Sequence, residues 1–397
     1  MRSFALTSYM QYFLSGLVIT TIGSVMPQLL AHYELSYTEG GRLVFLGSVG
    51  FLLGVPLSSY LMSRMNEKSI LSIAALLIAI AQLGMYTLPP FGWVSAFNFM
   101  NSVGVAALET IVATLMMEVF IGRRAVVMSY LEVSFGLGAL LMPIVASLLI
   151  ANGAWRFSFL VTGALAIVMT LIWRMIAIAK DKVDVSKRLD ASEPPPQTMT
   201  PRKKWQLLSL FGLMIVLYAG MEGSLNNFLS SVFIAYLDQV PYYASLSIGI
   251  FWTTMVIGRA ATGWIIRKMS YGRFLLWSMI GTLAGFILFI LLHHAAAGYA
   301  LVMLLGFTMA GVYSITMVFA NHTFPGSERF VTSYITGLAG FGGAVLPALV
   351  GYSMDHTGTA SALWLVAGFA ALFIAALLAT FALYGKKETA STAAEQT

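Results

Sequence analysis

Four charged side chains stand inside stretches that are otherwise apolar, and each needs a partner or a task, because an unpaired charge away from water is costly. Glu109 lies in ALETIVA, Ala107–Ala113, with no Lys or Arg within a helical turn. A carboxyl so placed can take up and release a proton; the plainer reading is a permanently protonated Glu bonded to a neighbouring helix. Glu222 lies in LYAGMEGSLNNFLSS, with Asn226 one turn later on the same helix face and Asn227 turned away by about 100°. Gly220 and Gly223 thin the helix beside the acid. A carboxylate, an amide and close backbone suit a ligand whose hydroxyls both donate and accept. The same residues would also serve as polar glue between helices. Glu132 and Arg259 each sit about seven residues from one end of their stretches, roughly 10 Å deep, so they can pair if those stretches are neighbours. Otherwise Arg259 snorkels to a polar boundary. Tyr218 and Trp252 are candidates for stacking on a ring-shaped ligand. The sequence offers no metal-ligand spacing and no catalytic triad pattern.

The surroundings of these residues decide the solvent. Of 397 residues, 59% are hydrophobic and only 10% charged, against roughly 25% charged in ordinary soluble domains. Mean hydropathy is +0.84. Such a chain cannot build a water-facing surface, which excludes a soluble enzyme, and with no Cys it is not a disulfide scaffold. A bilayer core needs roughly 20 apolar residues per helix, and twelve stretches qualify: 4–30, 41–62, 70–92, 94–120, 125–150, 155–179, 206–236, 243–266, 274–293, 298–323, 329–353 and 359–384. With the N-terminus inside, eighteen Lys and Arg fall in inner segments and two, Arg42 and Arg156, in outer ones, which predicts cytoplasmic termini. The net charge of +6 then records loop topology and calls for no nucleic-acid partner. The polar segment 180–205, with its Pro triplet, reads as a cytoplasmic linker between an N-terminal bundle, 1–179, and a C-terminal bundle, 206–385, followed by a polar tail, 386–397.

The two halves repeat each other. Gly136–Pro143, GLGALLMP, matches Gly340–Pro347, GFGGAVLP, at an offset of 204 residues. Gly54–Met65, GVPLSSYLMSRM, matches Gly258–Met269, GRAATGWIIRKM, at the same offset. Gly-rich apolar helices resemble one another in any case, but the basic loops match too. At this offset Glu109 corresponds to Tyr313, so the acid is kept in one half. Duplicated bundles of this kind place a site near the membrane midplane between the halves.

The 6+6 plan, the central polar loop and the basic loops after spans 2 and 8 resemble the major facilitator superfamily. Its loop signature is degenerate here, since neither copy carries the Asp. The helix 4 motif ALETIVA, MSYLEVSFGLGALLMP in span 5, LYAGMEGSLNNFLSS in span 7 and FWTTMVIGRAATG in span 8 together resemble the fucose permease branch, and most of all its bacterial glucose/mannose–proton symporters. The resemblance implies an all-α membrane protein of twelve transmembrane helices in two six-helix pseudo-repeat bundles, lying in a bacterial cytoplasmic membrane. It implies import of a hexose with protons by alternating access, with no cofactor beyond the proton gradient. Glu109 would couple the proton. Glu222, Asn226, Asn227, Tyr218, Trp252 and Tyr313 would bind substrate. Glu132 and Arg259 would form a gate pair that closes the inner end only while the outer end is open. Fucose permeases also carry a carboxylate in helix 1; the first span here has none, so a symporter of this sequence must work with one fewer acid. Two rival readings stay open at this point: an efflux pump exchanging an amphipathic compound for protons, and a sugar sensor on a transporter scaffold.

Overall fold

The computed structural model describes residues 2–120, 124–176 and 200–384. Before residue 177 lie α1 (Arg2–Tyr33), α2 (Tyr37–Met62), α3 (Glu67–Tyr86), α4 (Phe91–Val119), α5 (Arg124–Ala151) and α6 (Phe157–Met175). After residue 199 come α7 (Pro201–Leu237), α8 (Pro241–Ile265), α9 (Tyr271–Leu292), α10 (Ala295–Met309), α11 (Val312–Thr323), α12 (Glu328–His356) and α13 (Thr359–Tyr384). Twelve spans are long and apolar enough to cross a membrane, with α10 and α11 together making the tenth, Ala295–Thr323. That span was expected to be unbroken. It breaks at Ala310 and Gly311, where Gly311 lies so close to Thr262 of α8 that a Cβ would not fit.

α7 starts at Pro201 rather than at 206, with proline in the first helical turn, where its missing N–H costs nothing. The first residues after 200 of the expected linker are therefore helical. Residues 180–199 of that linker, and the expected tail from 386, lie outside the described residues.

Each half buries its own core. One cluster gathers Phe211, Tyr218, Phe251 and Phe286 with their neighbours from α7–α13. Two others gather Leu71, Ile111 and Trp173, and Val25, Met26 and Phe159, from α1–α6. The halves meet chiefly along α2 with α12 and α5 with α8, and α1 touches both α7 and α8.

Prolines inside these helices shape the contacts. A proline lacks the N–H that would bond the carbonyl four residues earlier. Pro27 in α1 thus frees the Gly23 carbonyl, which accepts the Ser230 hydroxyl of α7 at 2.7 Å. Pro347 in α12 frees the Gly343 carbonyl, which accepts the Ser48 hydroxyl of α2 at 3.2 Å. In both cases a broken bond within one half becomes a bond between halves.

The seal lies toward the far end of the bundle, away from where α1 and α7 begin. Ser36, at the N-cap of α2, supplies no side-chain cap. Asp355 of α12 takes that task from the opposite half: its Oδ1 accepts the Tyr37 N–H at 3.0 Å and its Oδ2 the Thr38 N–H at 2.6 Å. A carboxylate on a helix N-terminus satisfies orphan donors and meets the positive end of the helix dipole. Nearby, Ser147 of α5 donates to the Tyr242 carbonyl of α8 at 2.7 Å. Gly23 faces the Asn226 backbone and Gly41 faces Ala348, both without room for a Cβ. The near end is different. α2 buries Gly40, Gly41, Leu43, Val44, Gly47 and Gly50 in its first half, but after them only Gly54 and Ser58, and Gly54 abuts α4 of its own half. The halves are closed at the far end and parted at the near end.

Candidate functional site

Between the halves, at mid-height, lies a cavity of about 470 Å³ walled by α1, α2, α4 and α5 on one side and by α7, α8, α11 and α12 on the other. Glu109, Glu132, Glu222, Asn226, Asn227, Trp252, Arg259 and Tyr313 all line it. Eight of the nine residues singled out from sequence thus share one space. The ninth is a correction: Tyr218 is fully buried behind the wall, its ring 6.3 Å from that of Tyr313, and offers no face to a ligand. It sits one turn before Glu222 on the same face of α7, and its hydroxyl lies beside Glu222 and Arg259, so it backs the charged cluster from behind.

The charged groups form one cluster around Arg259. Its Nη1 is 3.4 Å from Glu132 Oε2 of α5, and its Nη2 is 3.6 Å from Glu222 Oε1 of α7. The pair expected between α5 and α8 is present, but Arg259 is shared, and gate and binding residues are one constellation. The Glu132–Arg259 contact is present while the far end is sealed. The Arg259 side chain is long enough to keep hold of Glu132 across the parted near end.

Trp252 supports this cluster. The Arg259 guanidinium lies 5.7 Å from the Trp252 ring centroid, a cation–π contact. The indole N–H donates to Asn226 Oδ1 at 2.9 Å, and Asn226 Nδ2 donates to the Ile19 carbonyl of α1 at 3.2 Å. Trp252 is only 4% exposed, so its main contacts are with Arg259 and Asn226. Asn227 donates from Nδ2 to the Gly223 carbonyl, 2.8 Å away, one turn back.

Glu109 stands apart from the cluster, on the opposite wall. Its Oε1 is buried with no hydrogen-bond partner, although its backbone carbonyl accepts the Tyr12 hydroxyl at 3.0 Å. Glu109 lines the cavity, and Ser15 is a polar neighbour of its carboxyl.

The sequence reading missed a set of amides on the N-terminal half. Asn98 and Asn101 of α4 line the cavity. Asn98 Nδ2 donates to the Leu43 carbonyl at 2.8 Å. Asn101 Oδ1 accepts from Gln82 Nε2 at 3.0 Å, and Gln82 Oε1 accepts from the Thr162 hydroxyl at 2.9 Å. Buried amides in an apolar span are the signal that could have found them.

The shared arginine makes an ordered prediction. Glu132→Gln leaves Arg259 its contact with Glu222, and the Glu132 side chain is 54% exposed, so it should cost under about 1 kcal/mol. Arg259→Gln leaves two carboxylates without their cation and should cost more, about 1–3 kcal/mol. Thermal unfolding of the purified variants in one detergent checks the order; the reverse order would show that the contact with Glu222 contributes little.

Two bundles of six membrane spans enclosing a central cavity with a polar, ionisable lining define a transport protein, not an enzyme. Residues 9–329 match the family model described as Major Facilitator Superfamily, and the chain belongs to that family. It is a multi-pass membrane protein and a secondary transporter of small molecules. Among curated relatives, the glucose/mannose transporter GlcP of Bacillus subtilis (strain 168) is 25% identical over 90% of this chain and 89% of its own length. A TsgA homolog from Serratia proteamaculans (strain 568) is 22% identical over 94% of each chain. Among solved structures, the nucleoside transporter NupG superimposes with a TM-score of 0.78, at 15% identity, over 96% of this chain and 99% of that one.

Proposed function

We propose that this transporter imports a neutral, polyhydroxylated solute, a hexose such as glucose or mannose, together with protons. The observation that carries the reading is the cavity itself. It sets Glu109, whose Oε1 is buried without a hydrogen-bond partner, opposite an amide-rich wall that includes Asn226 and Asn227. The first group suits proton uptake and release. The second supplies donors and acceptors in the mixture that sugar hydroxyls need. The similarity to GlcP, which is named for glucose and mannose, supports the substrate class. We place the protein in a bacterial cytoplasmic membrane with both termini in the cytoplasm, on the Lys and Arg bias of its loops. With that topology the near end is cytoplasmic and the cavity is open inward.

In the proposed cycle Glu109 is protonated from outside. Sugar binds between Glu222 and the α7 amides, the halves rock, and proton release inside favours sugar release. The test is uptake of a panel of radiolabelled hexoses into proteoliposomes, with and without an imposed pH gradient. Accumulation of glucose or mannose that collapses when the gradient is removed is the expected result. Uptake that ignores the gradient would remove the proton, and no uptake of any hexose would remove the sugar.

The same assay reaches single residues. Asn226→Ala is expected to weaken hexose binding by about 1–3 kcal/mol, the cost of leaving polar groups of a buried ligand unpaired. The unfolding temperature should move less. Unchanged binding with a lower unfolding temperature would show that Asn226 only ties α7 to Trp252 and Ile19.

A further inference from the structure

A second binding surface lies on the outside of the C-terminal bundle, remote from the central cavity. Between the start of α7 and the end of α13 runs a groove lined by Arg202, Trp205, Gln206, Leu210, Leu213 and Leu383. Residues 202, 206, 210 and 213 follow the three-and-four spacing of one helix face, so the α7 wall passes from guanidinium to amide to aliphatic over about 16 Å. This order matches the cross-section of a lipid leaflet. With 37 residues, α7 is about 55 Å long, well beyond an apolar core of about 30 Å. Its first turns must therefore stand in the headgroup layer. Trp205 is 59% exposed, as an interfacial anchor should be.

The charge balance is one-sided. α13 contains no charged residue, and the first acid on α7 is Glu222, five turns deeper. Lys204 turns away toward Ser327, with its Nζ 3.4 Å from the hydroxyl. Arg202 is thus left at the head of an apolar groove with no counter-ion among the described residues.

We propose that this groove is a binding site for an anionic phospholipid. The phosphate sits on Arg202, the interfacial region of the lipid meets Gln206 and Trp205, and one acyl chain lies along Leu210, Leu213 and Leu383. Basic pockets of this kind, at the headgroup level between membrane helices, recognise anionic headgroups. The site is independent of the transported solute.

The experiment is native mass spectrometry of the full chain, released from micelles doped with equal amounts of phosphatidylglycerol and phosphatidylcholine. The wild type should retain phosphatidylglycerol in preference. Arg202→Gln should lower that preference roughly fivefold, the loss expected for one basic side chain near a lipid surface. Leu213→Trp, which fills the groove floor from a half-exposed position, should lower retention of both lipids while leaving the unfolding temperature in phosphatidylcholine unchanged. Arg174→Gln, at the end of α6 in the other half, should change nothing. Equal retention of the two lipids by the wild type would overturn the proposal. So would an Arg202→Gln variant indistinguishable from the wild type, or a dimer peak whose loss on Leu213→Trp showed a second copy filling the groove.

Discussion

Replacing Glu109 by Gln is expected to abolish proton-driven accumulation and to leave exchange of labelled for unlabelled solute across proteoliposomes largely intact. An amide has the shape and hydrogen-bonding capacity of a protonated carboxyl but cannot give its proton up. Exchange needs only the loaded carrier to move back and forth, whereas accumulation needs the proton to be taken on one side and released on the other. The structure gives the substitution a fair trial. Glu109 makes no ion pair, its Oε1 has no partner to lose, and its backbone bond to Tyr12 does not depend on the side chain. Accumulation should fall to the level set by the solute gradient alone. Full concentrative uptake by the Gln variant would take Glu109 out of the coupling, and loss of exchange as well would make it a binding residue.

The second large effect is expected from a single methyl group. Gly23 of α1 lies against the backbone of Asn226 of α7, and an added Cβ would fall on the Asn226 carbonyl oxygen. The obstacle is main chain in a helix on both sides and cannot swing away as a side-chain tip could. Gly23→Ala must therefore push α1 from α7 at the sealed end. Overpacking of this kind costs about 1–3 kcal/mol. The cost falls on the conformation described here, with its far end closed, and a cost confined to one conformation shifts the ratio of states by roughly 5–150-fold. The chain has no cysteine, so spin labels can be placed at Asn152→Cys and Thr357→Cys, exposed far-end positions in opposite halves. Their distance distribution should gain a long component in the Gly23→Ala protein. An unchanged distribution would mean that the helices slide to absorb the methyl, and that this seam does not set the equilibrium.

The parts of this molecule that the sequence made legible are those governed by the bilayer. Twenty apolar residues in a row have few alternatives in lipid, so the twelve spans emerge from composition alone. A lone acid such as Glu109 is conspicuous because it is expensive. The pairing of Glu132 with Arg259 needed one further step, the adjacency of α5 and α8, which the family resemblance supplied. Contacts that depend on how helices cross were out of reach. Whether Arg259 also meets Glu222 is decided by the angle between α7 and α8, and sequence spacing does not report it. Tyr218 and Glu222 are a turn apart on one face of α7, yet only Glu222 reaches the cavity and Tyr218 is sealed behind it, a difference of depth that spacing does not report. Asp355 is an acid near the end of α12. Its partner is the N-terminus of a helix more than 300 residues earlier in the chain, and nothing local in either segment indicates that they meet.

Two carboxylates around one guanidinium, with a third on the opposite wall, also sort solutes by charge. Arg259 is the only basic side chain among the residues that wall the cavity, beside Glu109, Glu132 and Glu222. With all four ionised the chamber has a formal charge of −2, and with one proton aboard it still has −1. An anion entering such a narrow, low-dielectric space meets repulsion that water cannot fully screen. A neutral molecule meets none, and a small cation is drawn in. A chamber with that charge disfavours carboxylates and phosphate esters. In that ionised state the potential of the chamber acts on a solute's charge before any single side chain contacts it.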